Sequence, residues 1–172
     1  MNQTGDSPRM RQLVDWSSAI WAGLIGGTVF LIFNLLLSPI LLGGNAWVQI
    51  RLIASIVMGP EILAPPATFH TGALVAALIC HYALSVGFAL LVAYVVHRWG
   101  LIVGIVGGAV LGLFLYAINF YSVTYFFPQF FPMRGAAMLL SHLLFGAVVG
   151  GLYEALEVEE FVPVNDSSAQ EA

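Results

Sequence analysis

Strongly polar side chains are scarce in this sequence, and four of them fall inside long apolar runs: Asn34, His81, Asn119 and His142. A polar group surrounded by hydrocarbon is costly unless it meets a partner, a bound molecule or water, so such residues mark a hydrogen-bonded core or a site. Counted along helices, Asn34 and His81 each lie about 12–15 Å from the same end of their runs. Asn119 lies near that end, and His142 lies roughly two turns in. Each run thus brings one polar side chain to one leaflet. Arg134, above His142 in the chain, is placed to cap the cluster, and Arg51, Glu61 and His70 belong to the same side.

Three chemistries are open to these residues. A hydrogen-bonded polar core would fix helix register. A binding or transport site for a small ligand, a quinone or an ion would use the same groups as donors and acceptors, with histidines that titrate near neutral pH. His81 and His142, at comparable depths on different helices, could serve as axial ligands of one haem b. A second haem is excluded, because His142 is alone on its helix and His70 and His97 lie at helix ends. No HxxxH, HExxH or histidine–carboxylate pair indicates a metal. No nucleophile elbow or intramembrane acid supports serine catalysis, so the chain is expected not to be an enzyme.

The elements that must position these groups follow from composition. Of 172 residues, 60% are hydrophobic and only 8% are charged, against roughly 25% charged in soluble domains. Mean hydropathy is +0.94. A surface with so few charges belongs in a bilayer. Four stretches, 17–42, 71–96, 101–120 and 136–156, reach the roughly 20 residues needed to cross hydrocarbon as helices. They predict an all-α, four-span transmembrane bundle. There is no lysine, and the five arginines are dispersed, so the chain offers no basic patch for nucleic acid. Cys80, the single cysteine, reads as a small packed residue within a helix.

Residues 1–16 read as a polar cytoplasmic segment, and the first apolar run is too long for a signal h-region, so it is a retained span. The connection 43–70 contains a 13-residue apolar helix with Gln49, Arg51 and Ser55, too short to span; it is expected to be interfacial or re-entrant. Gly59-Pro60 ends it, and Pro65-Pro66 extends the path to the second span. His97-Arg98-Trp99-Gly100 makes a tight hairpin of the second and third spans. The connection 121–135, rich in Tyr and Phe, is expected at the headgroup level, as an aromatic belt or a docking surface. Residues 157–172 are read as an acidic, disordered cytoplasmic tail. Arg9, Arg11 and Arg98 against Arg51 and Arg134 favour cytoplasmic termini under the positive-inside rule.

Packing is signalled by small residues four apart: Gly100, Gly104, Gly108 and Gly112 in the third span, Gly23 and Gly27 in the first, Ala83 and Gly87 in the second, Gly146 and Gly150 in the fourth. Such ladders let backbones approach closely within the bundle or against another subunit. They place the tight crossings near the terminal end and leave the polar half to splay.

Residues 51–69 (RLIASIVMGPEILAPPATF), 77–85 (ALICHYALS), 116–121 (YAINFY) and 130–146 resemble a group of small, functionally unassigned bacterial four-span inner-membrane proteins, some carrying a sodium:proline symporter label. The resemblance extends over 51–151. It implies a bacterial inner-membrane location and carries no established activity. The leading expectation is a small accessory or structural subunit of a larger membrane complex, such as a respiratory enzyme. Its partners would be the lipid bilayer and either other membrane-protein subunits or copies of itself. The alternatives are a ligand, quinone or ion protein and a single-haem protein.

Overall fold

The computed structural model describes residues 9–43 and 45–164. It is an all-α bundle of five α-helices: α1 (Trp16–Leu42), α2 (Ala46–Met58), α3 (Thr71–Val96), α4 (Leu101–Ala117) and α5 (Ala136–Leu156). Four helices are long and apolar enough to cross a membrane, Trp16–Leu37, Thr71–Val96, Leu101–Tyr125 and Ala136–Leu156. The third runs past α4 through a π-helical turn, Ile118–Ser122, and a 3₁₀ turn, Val123–Tyr125. It is therefore longer than 101–120, and the first third of the aromatic connection is helix.

Glycine determines which helices pair. α4 lies against α5 along Gly104, Gly108 and Gly112 on one side and Gly146 and Gly150 on the other, so closely that a Cβ on Gly108 would meet the Gly146 carbonyl and one on Gly112 the His142 carbonyl. α1 packs on α3, where a Cβ at Gly23 would come within 2.8 Å of the Val86 Cα. α1 also packs on α5, with Gly26 against Val149. Lipid supplies no hydrophobic drive between helices, so this backbone contact is what holds them. The Ala83–Gly87 pair behaves differently: it is exposed, and nothing among the described residues lies near Gly87. Despite their short turn, α3 and α4 scarcely touch. The expected tight hairpin is a connection rather than a packed pair, because α4 spends its small face on α5.

At the end bearing the chain termini the core is dense, built from Ala19, Ala22, Ala89, Val92, Val149 and Tyr153. Asp15 caps α1: its carboxylate accepts from the Ser18 N–H at 3.1 Å and the Ser18 hydroxyl at 2.7 Å, as N-cap chemistry requires. It also accepts from the Val158 N–H at 3.1 Å, while the Asp15 N–H donates to the Tyr153 hydroxyl. Burial raises the Asp15 pKa, but these donors outweigh it and hold the carboxyl below its ordinary value. Beyond this junction, β1 (Met10–Gln12) pairs antiparallel with β2 (Phe161–Pro163), Arg11 opposite Val162. The disordered tail expected from 157 onward is corrected here: its first part is a strand, ordered by ladder bonds to the N-terminal segment. The remainder, 165–172, lies outside the described residues.

Candidate functional site

At the opposite end, α2 and the connection 121–135 close over a mouth between the two helix pairs. α2 is flanked by Gly43 and Gly59 at φ +69° and +86°, left-handed conformations that glycine alone adopts without strain. Its face of Ile50, Ile53 and Ala54 packs on Leu31 of α1 and on Ala73 and Ala77 of α3. These contacts lie within the first two turns of α3, so α2 is seated in the end of the bundle like a plug. Gln129 pins it from above, donating to the Ser55 hydroxyl at 3.1 Å.

Beneath α2 is a cavity of about 300 Å³. Gln49, His81, Ser85, Asn119 and His142 supply its polar wall. Phe30, Phe120, Phe127, Phe130 and Phe145 supply much of the rest. The aromatic connection is thus divided, Phe127 and Phe130 facing inward while Tyr125, Phe126 and Phe131 are exposed.

His142 is 4% exposed. One ring nitrogen, Nδ1, lies 2.8 Å from the Met138 carbonyl, which can only accept, so Nδ1 carries the hydrogen. Nε2 is then an acceptor for Asn119 Nδ2 at 3.3 Å. Asn119 sits in the π-helical turn, a local unwinding of the helix common at functional sites. His81 donates from Nε2 to the Gly27 carbonyl at 2.8 Å, leaving Nδ1 as an acceptor with no partner among the described residues. Gln49 is 6% exposed, and its Oε1 is buried without a hydrogen bond.

The six residues singled out in the sequence therefore separate. His81, Asn119 and His142 share the cavity. Asn34 is buried but lies outside it; its Nδ2 bonds back to the Phe30 carbonyl at 2.8 Å, and its Oδ1 is unpartnered. Arg134 does not cap the histidines. It donates to the Phe120 carbonyl, freed by the π turn, and to Thr124, with its guanidinium 4.1 Å from the Tyr121 ring centroid and 4.5 Å from that of Phe131. Arg51 faces the other side of α2, towards a second pocket, because backbone carbonyls of the following connection capture it. Gln49, which the sequence places beside Arg51, instead completes the cavity.

The pair His81 and His142 does not fit a haem. Phe30 lies between them, stacked on His81 at 6.1 Å between centroids and edge-on to His142 at 5.0 Å. Both Nε2 atoms are engaged, that of His81 with the Gly27 carbonyl and that of His142 with Asn119, and His142 Nδ1 lies on the Met138 carbonyl, so only Nδ1 of His81 is left without a partner among the described residues. Among the described residues no group of three His, Cys, Asp or Glu side chains converges to hold a metal. No protein-family model, curated protein or solved structure matches the chain.

Proposed function

We propose that this multi-pass membrane protein binds a small, mainly apolar ligand carrying a hydrogen-bonding group, held between Gln49 of α2 and the Asn119–His142 pair, with His81 opposite. The observation that carries this reading is the Gln49 amide, buried on the cavity wall with its oxygen unpartnered. Magnitudes favour a binding role over a structural one. An interhelical hydrogen bond in a membrane contributes only about 0.6 kcal/mol on average, whereas an unpaired buried amide costs about 1–3 kcal/mol. Gln49 is therefore a poor device for stability and a good one for recognition. Apolar walls with a few convergent polar groups are the general form of ligand sites. The role proposed is binding or carriage rather than catalysis. On this reading the two ends of the bundle sequence face the cytoplasm, which the arginine distribution favours, and the membrane is a bacterial inner membrane, which only the resemblance of 51–151 suggests.

The test is mass spectrometry of small molecules extracted from the purified chain and from Gln49→Leu and His142→Leu variants. A compound present in stoichiometric amount with wild type and lost from both variants supports the proposal. The same compounds in the same amounts from all three proteins would refute it.

One observation favours a second reading, an accessory subunit or homo-oligomer. Ala83 and Gly87 of α3 are exposed, and nothing among the described residues lies near Gly87, the kind of surface on which another helix packs. A chain that purifies alone and monomeric from native membranes would remove it.

A further inference from the structure

The second pocket, about 470 Å³, adjoins the cavity: Leu52 of α2 and Met133 line both. Its rim, Asn45 and Pro65, is exposed, so it stands between the outside and the cavity. Arg51 forms part of its wall. The guanidinium is fixed by Nε to the Thr68 carbonyl at 3.2 Å, by Nη1 to the carbonyls of Ile62 and Ala64 at 3.2 and 3.1 Å, and by Nη2 to the Thr68 hydroxyl at 3.4 Å. These acceptors are all uncharged. They take four of the five N–H groups and leave one on Nη2. Glu61, the nearest acid in sequence, has its carboxylate over Gly59 instead. A cation thus stands preorganised, its charge unneutralised by these partners, at the mouth of an apolar cavity.

We infer that the ligand is an anionic amphiphile, its carboxylate or phosphate head on Arg51 and its apolar body reaching the cavity by displacing Leu52 and Met133, the buried side chains that partition the two spaces. This rests on the ligand-binding reading and adds the chemistry of the ligand's outer end. An anion on Arg51 gains a charge-assisted hydrogen bond, roughly twice as strong as a neutral one. The apolar walls take the chain, and Gln49 and Asn119 meet any polar group it carries at depth.

The experiment uses a twelve-carbon fatty acid with a terminal diazirine, and its methyl ester, photolysed with the whole chain in lipid nanodiscs; labelled residues are mapped by mass spectrometry. The acid is expected to label cavity residues such as Leu115 and Phe145 about tenfold more than the ester, the loss of one charge-assisted contact. Arg51→Gln should bring the acid down to the ester's level. Because that variant also removes the ties holding 62–68, the comparison of acid with ester on the unaltered chain decides the matter. Equal cavity labelling by both probes overturns the anion assignment and leaves the ligand reading intact. Labelling confined to outward residues such as Ile79 and Leu91 overturns both.

Discussion

Replacing Gln49 with leucine should make this protein more stable and less able to bind. The side chain is 6% exposed and its carbonyl oxygen has no hydrogen bond. Removing a buried unpaired amide recovers about 1–3 kcal/mol, and leucine of similar size meets Leu52, Ile53 and the phenylalanines of the wall. For a chain of this length each kcal/mol moves Tm by about 2–4 °C, so a rise of roughly 2–12 °C is expected. The assay is thermal unfolding in a fixed detergent at fixed scan rate, followed by circular dichroism. Saturating ligand should reverse the order: at a hundred times Kd it stabilises wild type by about 2.7 kcal/mol and leaves the variant unmoved. A Gln49→Leu protein that melts lower than wild type without ligand would refute the reasoning, because the amide would then be well satisfied. Asn34→Leu is the internal comparison. It sacrifices an existing bond to the Phe30 carbonyl, so its gain should be smaller.

The remaining predictions concern the scaffold. Gly108→Ala places a methyl on the Gly146 carbonyl and should cost about 1–3 kcal/mol or more. Gly87→Ala, with open space around it, should be neutral or stabilising by up to about 1 kcal/mol; parallel melting curves decide between them. Asp15→Ala should lose about 1–2 kcal/mol with the cap, read by the same melting curves. The folded-state pKa of Asp15 lies below the ordinary aspartate value of 3.8, so its contribution is present above that value and falls away as pH drops through the folded pKa. Wild type should therefore lose stability more steeply than Asp15→Asn as pH falls below about 4, measured by melting at stepped pH. Arg134→Met should destabilise by about 1–3 kcal/mol, because the Phe120 carbonyl loses a charged donor; an unchanged Tm would contradict that role.

The four spans were legible in the sequence because twenty-residue apolar runs have few other solutions, and α3 and α5 fall at the residues expected. The glycine ladder of α4 was legible as a contact, and its partner emerged only in three dimensions, where Gly146 and Gly150 present matching carbonyls. The three members of the site that came together, His81, Asn119 and His142, were found because polar residues in hydrocarbon must face something. What spacing did not place were the arginines. Sequence spacing gives an arginine's depth but not its acceptors, and Arg51 and Arg134 were each captured by carbonyls of irregular backbone a few turns away. Gln49 escaped for a related reason: a 13-residue helix discloses its apolar face but not the bundle cleft that face enters. The β1–β2 pairing escaped too, since three-residue strands are too short to show alternation.

The junction at the terminal end has a consequence for how the protein is made. Asp15 and Ser18, at the start of α1, are satisfied by Tyr153 and Leu156 at the end of α5 and by Val158 just beyond it. α4 likewise has its glycine face covered by α5. During synthesis, then, the earlier spans wait with open seams until the final helix arrives, and β1 meets β2 only afterwards. Arrival of α5 closes the bundle. A product truncated before α5 would expose small-residue seams to the surrounding lipid and an unclasped N-terminal segment to the proteases that survey unfinished membrane proteins.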